Sequence, residues 1–223
     1  MNNALLVENL GFYYQAENFL FKQLNFALKQ GDILAILGQN GCGKSTLLDL
    51  LLGIHRPIQG KIEVHQSIGF VPQFFSSPFA YSVLDIVLMG RSTHINTFAK
   101  PKLHDYQIAI QALDYLNLSH LANREFASLS GGQRQLILIA RAIASECKLM
   151  LLDEPTSALD LANQNTVLSL LQQWVKEHRL IVILTTHQLN HVVAVANKVL
   201  LMNKQNLLFG QTDDVLTAEN LTQ

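Results

Sequence analysis

The segment Gly38-Gln39-Asn40-Gly41-Cys42-Gly43-Lys44-Ser45 lies between an apolar, strand-like run, Ile33 to Leu37, and a helix-like run that begins Thr46-Leu47-Leu48. The glycines let the backbone turn tightly enough for successive N–H groups to face phosphate oxygens, and the helix N-terminus that follows adds its positive dipole end. Lys44 is placed to reach the β- and γ-phosphates, and Ser45 to offer a hydroxyl to Mg2+. The candidate nucleotide contacts are therefore Gly38, Asn40, Gly41, Cys42, Gly43, Lys44, Ser45 and Thr46. A strand that feeds a phosphate loop and then a helix demands an α/β fold that binds a nucleoside triphosphate.

The remaining chain agrees with that demand. Its 223 residues suffice for one large domain with a sizeable core. With 49 % hydrophobic and 15 % charged residues it suits a buried parallel sheet or a docked partner. The apolar stretches, Leu47 to Ile54 and Leu180 to Leu184 among them, stop well short of the roughly 20 residues a bilayer crossing needs. The start Met1-Asn2-Asn3-Ala4 has no basic region followed by an apolar core, so a cytoplasmic protein is expected. Cys42 and Cys147 are the only cysteines, implying neither a disulfide framework nor a zinc site. A thiol at Cys42 would make nucleotide binding sensitive to alkylation; a small residue that simply fits the loop is the preferred reading. A net charge of -1 disfavours a nucleic-acid partner.

Short strands are expected at Leu5 to Val7, before a turn at Asn9 to Gly11, and at Leu24 to Leu28. After the strand at Ser67 to Val71 the pattern turns helical, with a capping-box start at Ser82 to Asp85 and helical spacing from Asp105 to Asn117. The last third alternates strand and helix: strands at 149–152, 180–184 and 199–202, helices at 163–177 and 188–196. That alternation indicates a mainly parallel sheet with crossover helices, and makes the mid-chain helical stretch an inserted lobe.

Parallel sheets present the C-terminal ends of their strands to ligands. Leu149 to Leu152 runs into Asp153 and Glu154, the first suited to hold Mg2+ and the second to orient and deprotonate a water. Leu180 to Leu184 leads to Thr185-Thr186-His187, where an imidazole can meet a γ-phosphate. Leu129-Ser130-Gly131-Gly132-Gln133 opens a clear helix; Ser130 can cap it, and its N-terminus offers a second anion site. One chain needs one phosphate loop per nucleotide. The second site is thus economically explained as serving a nucleotide held by another copy.

Taken in order, the phosphate loop, Gln73 after a strand, Leu129 to Gln133, Asp153-Glu154, Ser157-Ala158-Leu159-Asp160 and His187 make the chain resemble the ATP-binding subunit of an ATP-binding-cassette (ABC) transporter over nearly its whole length. The resemblance implies a P-loop ATPase fold with a RecA-like core, an N-terminal antiparallel β lobe and an inserted helical lobe: a catalytic lobe of residues 1–73 and 146–223 and a signature lobe of residues 74–145. It also implies a head-to-tail homodimer that encloses two ATP molecules with Mg2+. Each site would combine Lys44, Ser45, Gln73, Asp153, Glu154 and His187 of one copy with Ser130, Gly131, Gly132, Gln133 and Asp160 of the other, Ser45, Gln73 and Asp153 holding the metal. Tyr14 matches the aromatic residue that stacks on adenine, with Tyr13 as the alternative.

The stretch Val83 to Arg91, with His94 and Phe98 to Pro101, resembles ATPases of metal-chelate importers for ferric siderophores, haem or vitamin B12, and especially a molybdate and tungstate member. That implies integral membrane permease subunits, an extracytoplasmic substrate-binding protein, and a peripheral place on the cytoplasmic face of the inner membrane. Phe74, Phe75, Phe79 and Tyr81 are candidates for the groove that receives the permease, or for helical-lobe core. Many relatives continue some tens of residues beyond the position of Gln223. The alternatives are a soluble ATPase of the same class acting on a non-membrane partner, and a small-molecule kinase. The first lacks tandem motifs or heptads here, and the second would leave the signature without purpose.

Overall fold

The computed structural model describes residues 4–15, 18–96, 98–203 and 206–221. Strands β1 (Leu5–Phe12), β2 (Phe21–Leu28), β3 (Ile33–Gly38), β4 (Gln59–Val64), β5 (Ile68–Val71), β6 (Leu149–Leu152), β7 (Ile181–Thr186), β8 (Lys198–Met202) and β9 (Leu207–Gln211) fall into two sheets. The smaller is antiparallel, in the order β2-β1-β4. The larger runs β5-β6-β7-β3-β8-β9, parallel throughout except for the antiparallel edge strand β9.

The uninterrupted apolar runs of β3, β6 and β7 follow from burial on both faces of the larger sheet. Alternate residues go to different cores. Ile33, Ala35 and Leu37 join Met150, Leu152, Val182 and Leu184 on one face, while Leu34 and Ile36 join Leu149, Leu151, Ile181 and Ile183 on the other. The second face is covered by the small sheet and by α1 (Lys44–Leu51); Leu5, Leu10, Phe21 and Leu28 close that core with Leu47 and Leu48. The first face is continuous with the mid-chain helices, so Val83, Ile86, Leu113, Ile137 and Ile139 share one core with the sheet.

Helices α2 (Val83–Leu88), α3 (Leu103–Asp114) and α4 (Gly131–Ala144) pack on one another. Ser82 and Asp85 form the expected capping box at α2. The 3-10 segment Met89–His94 then lies so close to α4 that a Cβ at Gly90 would meet Arg141 O at 2.1 Å. The buried Arg91 ties Asp105 Oδ1 (3.3 Å), near the start of α3, to Ala144 O (2.8 Å) and Glu146 Oε2 (2.6 Å) at the end of α4. Helices α5 (Leu161–His178) and α6 (Leu189–Val195) are the crossovers of the parallel sheet, and α7 (Thr212–Val215) and α8 (Ala218–Leu221) are single turns.

Local expectations change at β1 and β7, and one strand, β4, is not among those expected. β1 continues through Asn9 to Gly11: Asn9 takes a positive φ of 51° and gives its N–H to Asn25 Oδ1 (2.8 Å), producing a bulge where a turn is expected. β7 extends to Thr186 because Thr185 and Thr186 pair with Ile36 and Leu37. The turns α7 and α8 are separated by Leu216 and Thr217. Strand β4 escapes notice in the sequence because it is an edge strand whose first three residues are exposed, so it lacks an apolar pattern.

Candidate nucleotide site

The strand order decides what meets what. β5, β6, β7 and β3 are consecutive neighbours and parallel, so their C-terminal ends lie side by side. Those ends carry Gln73, Asp153 and Glu154, His187, and the phosphate loop. Sequence positions separated by more than a hundred residues thus converge at the ligand-facing edge that an open α/β sheet provides.

Within the loop, Gly41 and Gly43 adopt φ values of 81° and 102°, which a side chain would strain. Gly38 is required for space: a Cβ there would lie 2.4 Å from Met202 O and 2.7 Å from Cys42 Sγ. Lys44 is buried at the start of α1, and its Nζ donates to Gly38 O (2.9 Å) and Gln39 O (3.2 Å), curling the loop around its ammonium. Cys42 is buried too, and burial pushes its thiol above the usual range although the Lys44 charge opposes this. The geometry favours a small packed residue over a reactive thiolate.

Glu154 is the centre of the cluster. Lys44 Nζ lies 3.7 Å from its Oε1, Gln73 Nε2 donates to its Oε2 at 3.4 Å, and His187 Nδ1 is 3.4 Å from the same oxygen. Its backbone has φ 45°, a left-handed conformation that costs a non-glycine residue about 1 kcal/mol or more. That turn is held by Thr185, a residue the sequence reading did not single out. The buried Thr185 hydroxyl accepts the Glu154 N–H (2.9 Å) and donates to Asp153 Oδ1 (2.6 Å), fixing both carboxylates together. The available signal was a hydroxyl ending an otherwise apolar strand.

One pocket is lined by Tyr14, Asn40, Lys44, Ser45, Gln73 and Glu154, with Gly41, Gly43 and Thr46 among its other walls. Tyr14 is 63 % exposed beside the loop; its ring packs edge-on against Phe12 and His55, and its hydroxyl is 3.2 Å from Thr46 Oγ1. Tyr13 instead packs edge-on against Phe19 and does not line the pocket. For a metal, Ser45 hydroxyl, Gln73 amide oxygen and Asp153 carboxylate form an oxygen-only donor set, the chemistry that Mg2+ prefers. Among the described residues no group of three or more His, Cys, Asp or Glu could hold an ion alone.

Ser130, Gly131, Gly132 and Gln133 do not line this pocket. Ser130 caps α4, its Oγ accepting the Gln133 N–H (3.3 Å) while Gln133 Oε1 accepts the Ser130 N–H (3.2 Å). A Cβ at Gly132 would sit 3.3 Å from Ala158 O, so the signature rests on the 157–160 loop, which ends where Asp160 caps α5 through the Asn163 N–H (2.8 Å). The aromatic residues after Gln73 divide: Phe74 (85 %) and Phe79 (66 %) are exposed, whereas Phe75 packs against Phe126 under Arg141, and Tyr81 packs on the core.

Residues 21–157 match the family model described as ABC transporter. The molybdate import ATP-binding protein MolC of Haemophilus influenzae is 82 % identical over the whole of this chain and 88 % of its own length. A probable iron chelatin transport ATP-binding protein of Helicobacter pylori is 36 % identical over 98 % of this chain and 91 % of its own. A solved structure described as an inward-facing conformation of a metal-chelate type ABC transporter superposes with a TM-score of 0.94 at 80 % identity, covering 100 % of this chain and 88 % of that one. With the phosphate loop, Gln73, Asp153, Glu154 and His187 at one sheet edge and these matches covering the chain, the protein belongs to the ABC transporter family, as an ATP-binding subunit.

Proposed function

We propose that this chain hydrolyses ATP at the cytoplasmic face of a membrane to drive import of a metal oxyanion or metal chelate, with molybdate the first cargo to test. The cargo reading is supported by the names of its relatives, above all the molybdate import subunit at 82 % identity. Permease subunits provide the pathway and an extracytoplasmic substrate-binding protein serves it, a reading supported by the import subunit that the chain resembles; among the described residues no helix is long and apolar enough to cross a membrane. Residues 1–73 and 146–223 act as the catalytic lobe and 74–145 as the signature lobe.

The observation that carries the mechanism is the separation of two half-sites: Lys44, Gln73 and Glu154 line one pocket, and Ser130 to Gln133 lie outside it. Two copies placed head to tail complete each site, with Ser130, Gly132 and Asp160 coming from the partner subunit. Glu154 accepts the proton of the attacking water, Lys44 turns from its loop carbonyls to the phosphates, and His187 holds the γ-phosphate. Ser45, Gln73 and Asp153 hold Mg2+, which when bound neutralises charge on the phosphate oxygens. Tyr14 stacks on adenine. The exposed Phe74 and Phe79 offer the permease an apolar contact.

The test is purification of the tagged chain from its membranes in mild detergent, followed by uptake assays on the reassembled complex with molybdate, tungstate, ferric chelates and vitamin B12. A stoichiometric polytopic protein and ATP-dependent molybdate uptake are expected. A soluble partner in its place would overturn the importer reading, and uptake of a different substrate would overturn the cargo.

A further inference from the structure

His191, on α6 four residues after His187, is a buried imidazole, 6 % exposed, that lines none of the nucleotide pocket. Its Nδ1 is 3.2 Å from Thr156 Oγ1 and its Nε2 is 3.2 Å from Gln164 Oε1. The amide nitrogen of Gln164 meanwhile donates to Thr156 O (3.2 Å) and Leu159 O (3.0 Å). That orientation leaves only the amide oxygen for the imidazole, and an amide oxygen can only accept. Nε2 therefore carries the ring proton, and Nδ1 accepts from the Thr156 hydroxyl. The network has one satisfied arrangement, which is the condition under which buried polar groups specify geometry.

Its ends are informative. The two carbonyls bracket Ser157 to Leu159, the loop on which Gly132 rests and which leads into Asp160. At the other end, Gln188 alone separates α6 from His187, whose ring reaches Glu154. We infer that His191 is a positioning residue that locks the Ser157–Asp160 loop to α6, the helix that His187 leads into, so that the phosphate-sensing residue and the partner-facing loop move as one body. This rests on the ATPase-dimer reading above. A residue serving packing alone would be replaced by methionine at little cost to turnover, because the apolar chain fills similar space. A residue that positions the loop through Gln164 is not replaceable in that way, since Gln164 Oε1 and the Thr156 hydroxyl lose their partner.

The full chain is assayed with Mg-ATP, well below each variant's melting temperature, as wild type, His191→Met, Gln164→Leu and the double variant. Expected is a loss of kcat on the order of tenfold in each single variant, KM staying within about twofold, and a double variant no worse than either single, because the pair acts as a unit. In a Glu154→Gln background the same substitutions weaken the ATP-dependent dimer. Wild-type kcat in His191→Met, or losses that multiply in the double variant, would overturn the inference. Should the variants fail to fold, imidazole nitrogen shifts of the unaltered protein decide: a neutral Nε2–H tautomer at His191 is expected, and an Nδ1–H tautomer removes the network. A wild-type chain without ATPase activity would instead sink the underlying reading, which an active wild type beside an unaffected His191→Met leaves standing.

Discussion

Gly38 shows how little room the residue scale leaves at the site. A methyl group there would press on Met202 O and Cys42 Sγ, both fixed by strand β8 and the loop itself, so Gly38→Ala must move the loop. We expect a loss of Mg-ATP affinity of at least about tenfold by titration calorimetry, with destabilisation of about 1–3 kcal/mol from overpacking. Cys42 is governed by burial, which holds its thiol protonated, so maleimide labelling of the native chain should be slow and should accelerate on unfolding. At His191 the same cause, burial, acts in the opposite direction. Burial first, and the nearby His187 second, lower its proton affinity below the usual 6.5. The unfolded chain then binds the proton more readily, so stability is complete above about pH 6.5 and falls as pH drops below it. Urea denaturation across pH 5 to 8 checks this, and His191→Met should flatten that part of the curve.

At the scale of elements, two helices start with the same device and different duties. Ser82 closes a reciprocal capping box on α2 that touches no nucleotide residue, and Ser82→Ala should cost about 1 kcal/mol in chemical denaturation while leaving ATP affinity unchanged. Ser130 closes the equivalent box on α4. There the same substitution should lower stability by a similar amount and, if the proposed head-to-tail dimer forms, also reduce turnover, because that dimer sets the capping oxygen against the partner's nucleotide. Both boxes are legible from serine followed three residues later by Asp or Gln. The bulge at Asn9 is not, because its positive φ depends on Asn25 in the neighbouring strand.

For the whole molecule, an incomplete pocket predicts association. Glu154→Gln should bind Mg-ATP, hydrolyse it at least about a hundredfold more slowly, and double in mass by light scattering when ATP is added. An ATP-bound monomer, or turnover at the wild-type rate, would remove Glu154 from the role of base. The mid-chain helices and the larger sheet share one core, in which Ile137 and Ile139 are buried with Val182 and Leu184.

The sequence by itself determined the chemistry. The glycine spacing around Lys44, the carboxylates after an apolar strand, Ser130 before a helix and the alternation of strands and helices are local patterns, each set by backbone sterics, capping or periodicity within a few residues. Tertiary structure decided the rest. Only strand order placed Gln73, Glu154 and His187 around one another, only packing divided Phe74 and Phe79 from Phe75 and Tyr81, and only long-range hydrogen bonds revealed Thr185 and His191. The physical reason is that these partners lie some tens of residues or more apart along the chain. No local preference encodes a contact that exists once the sheet has brought its strands together.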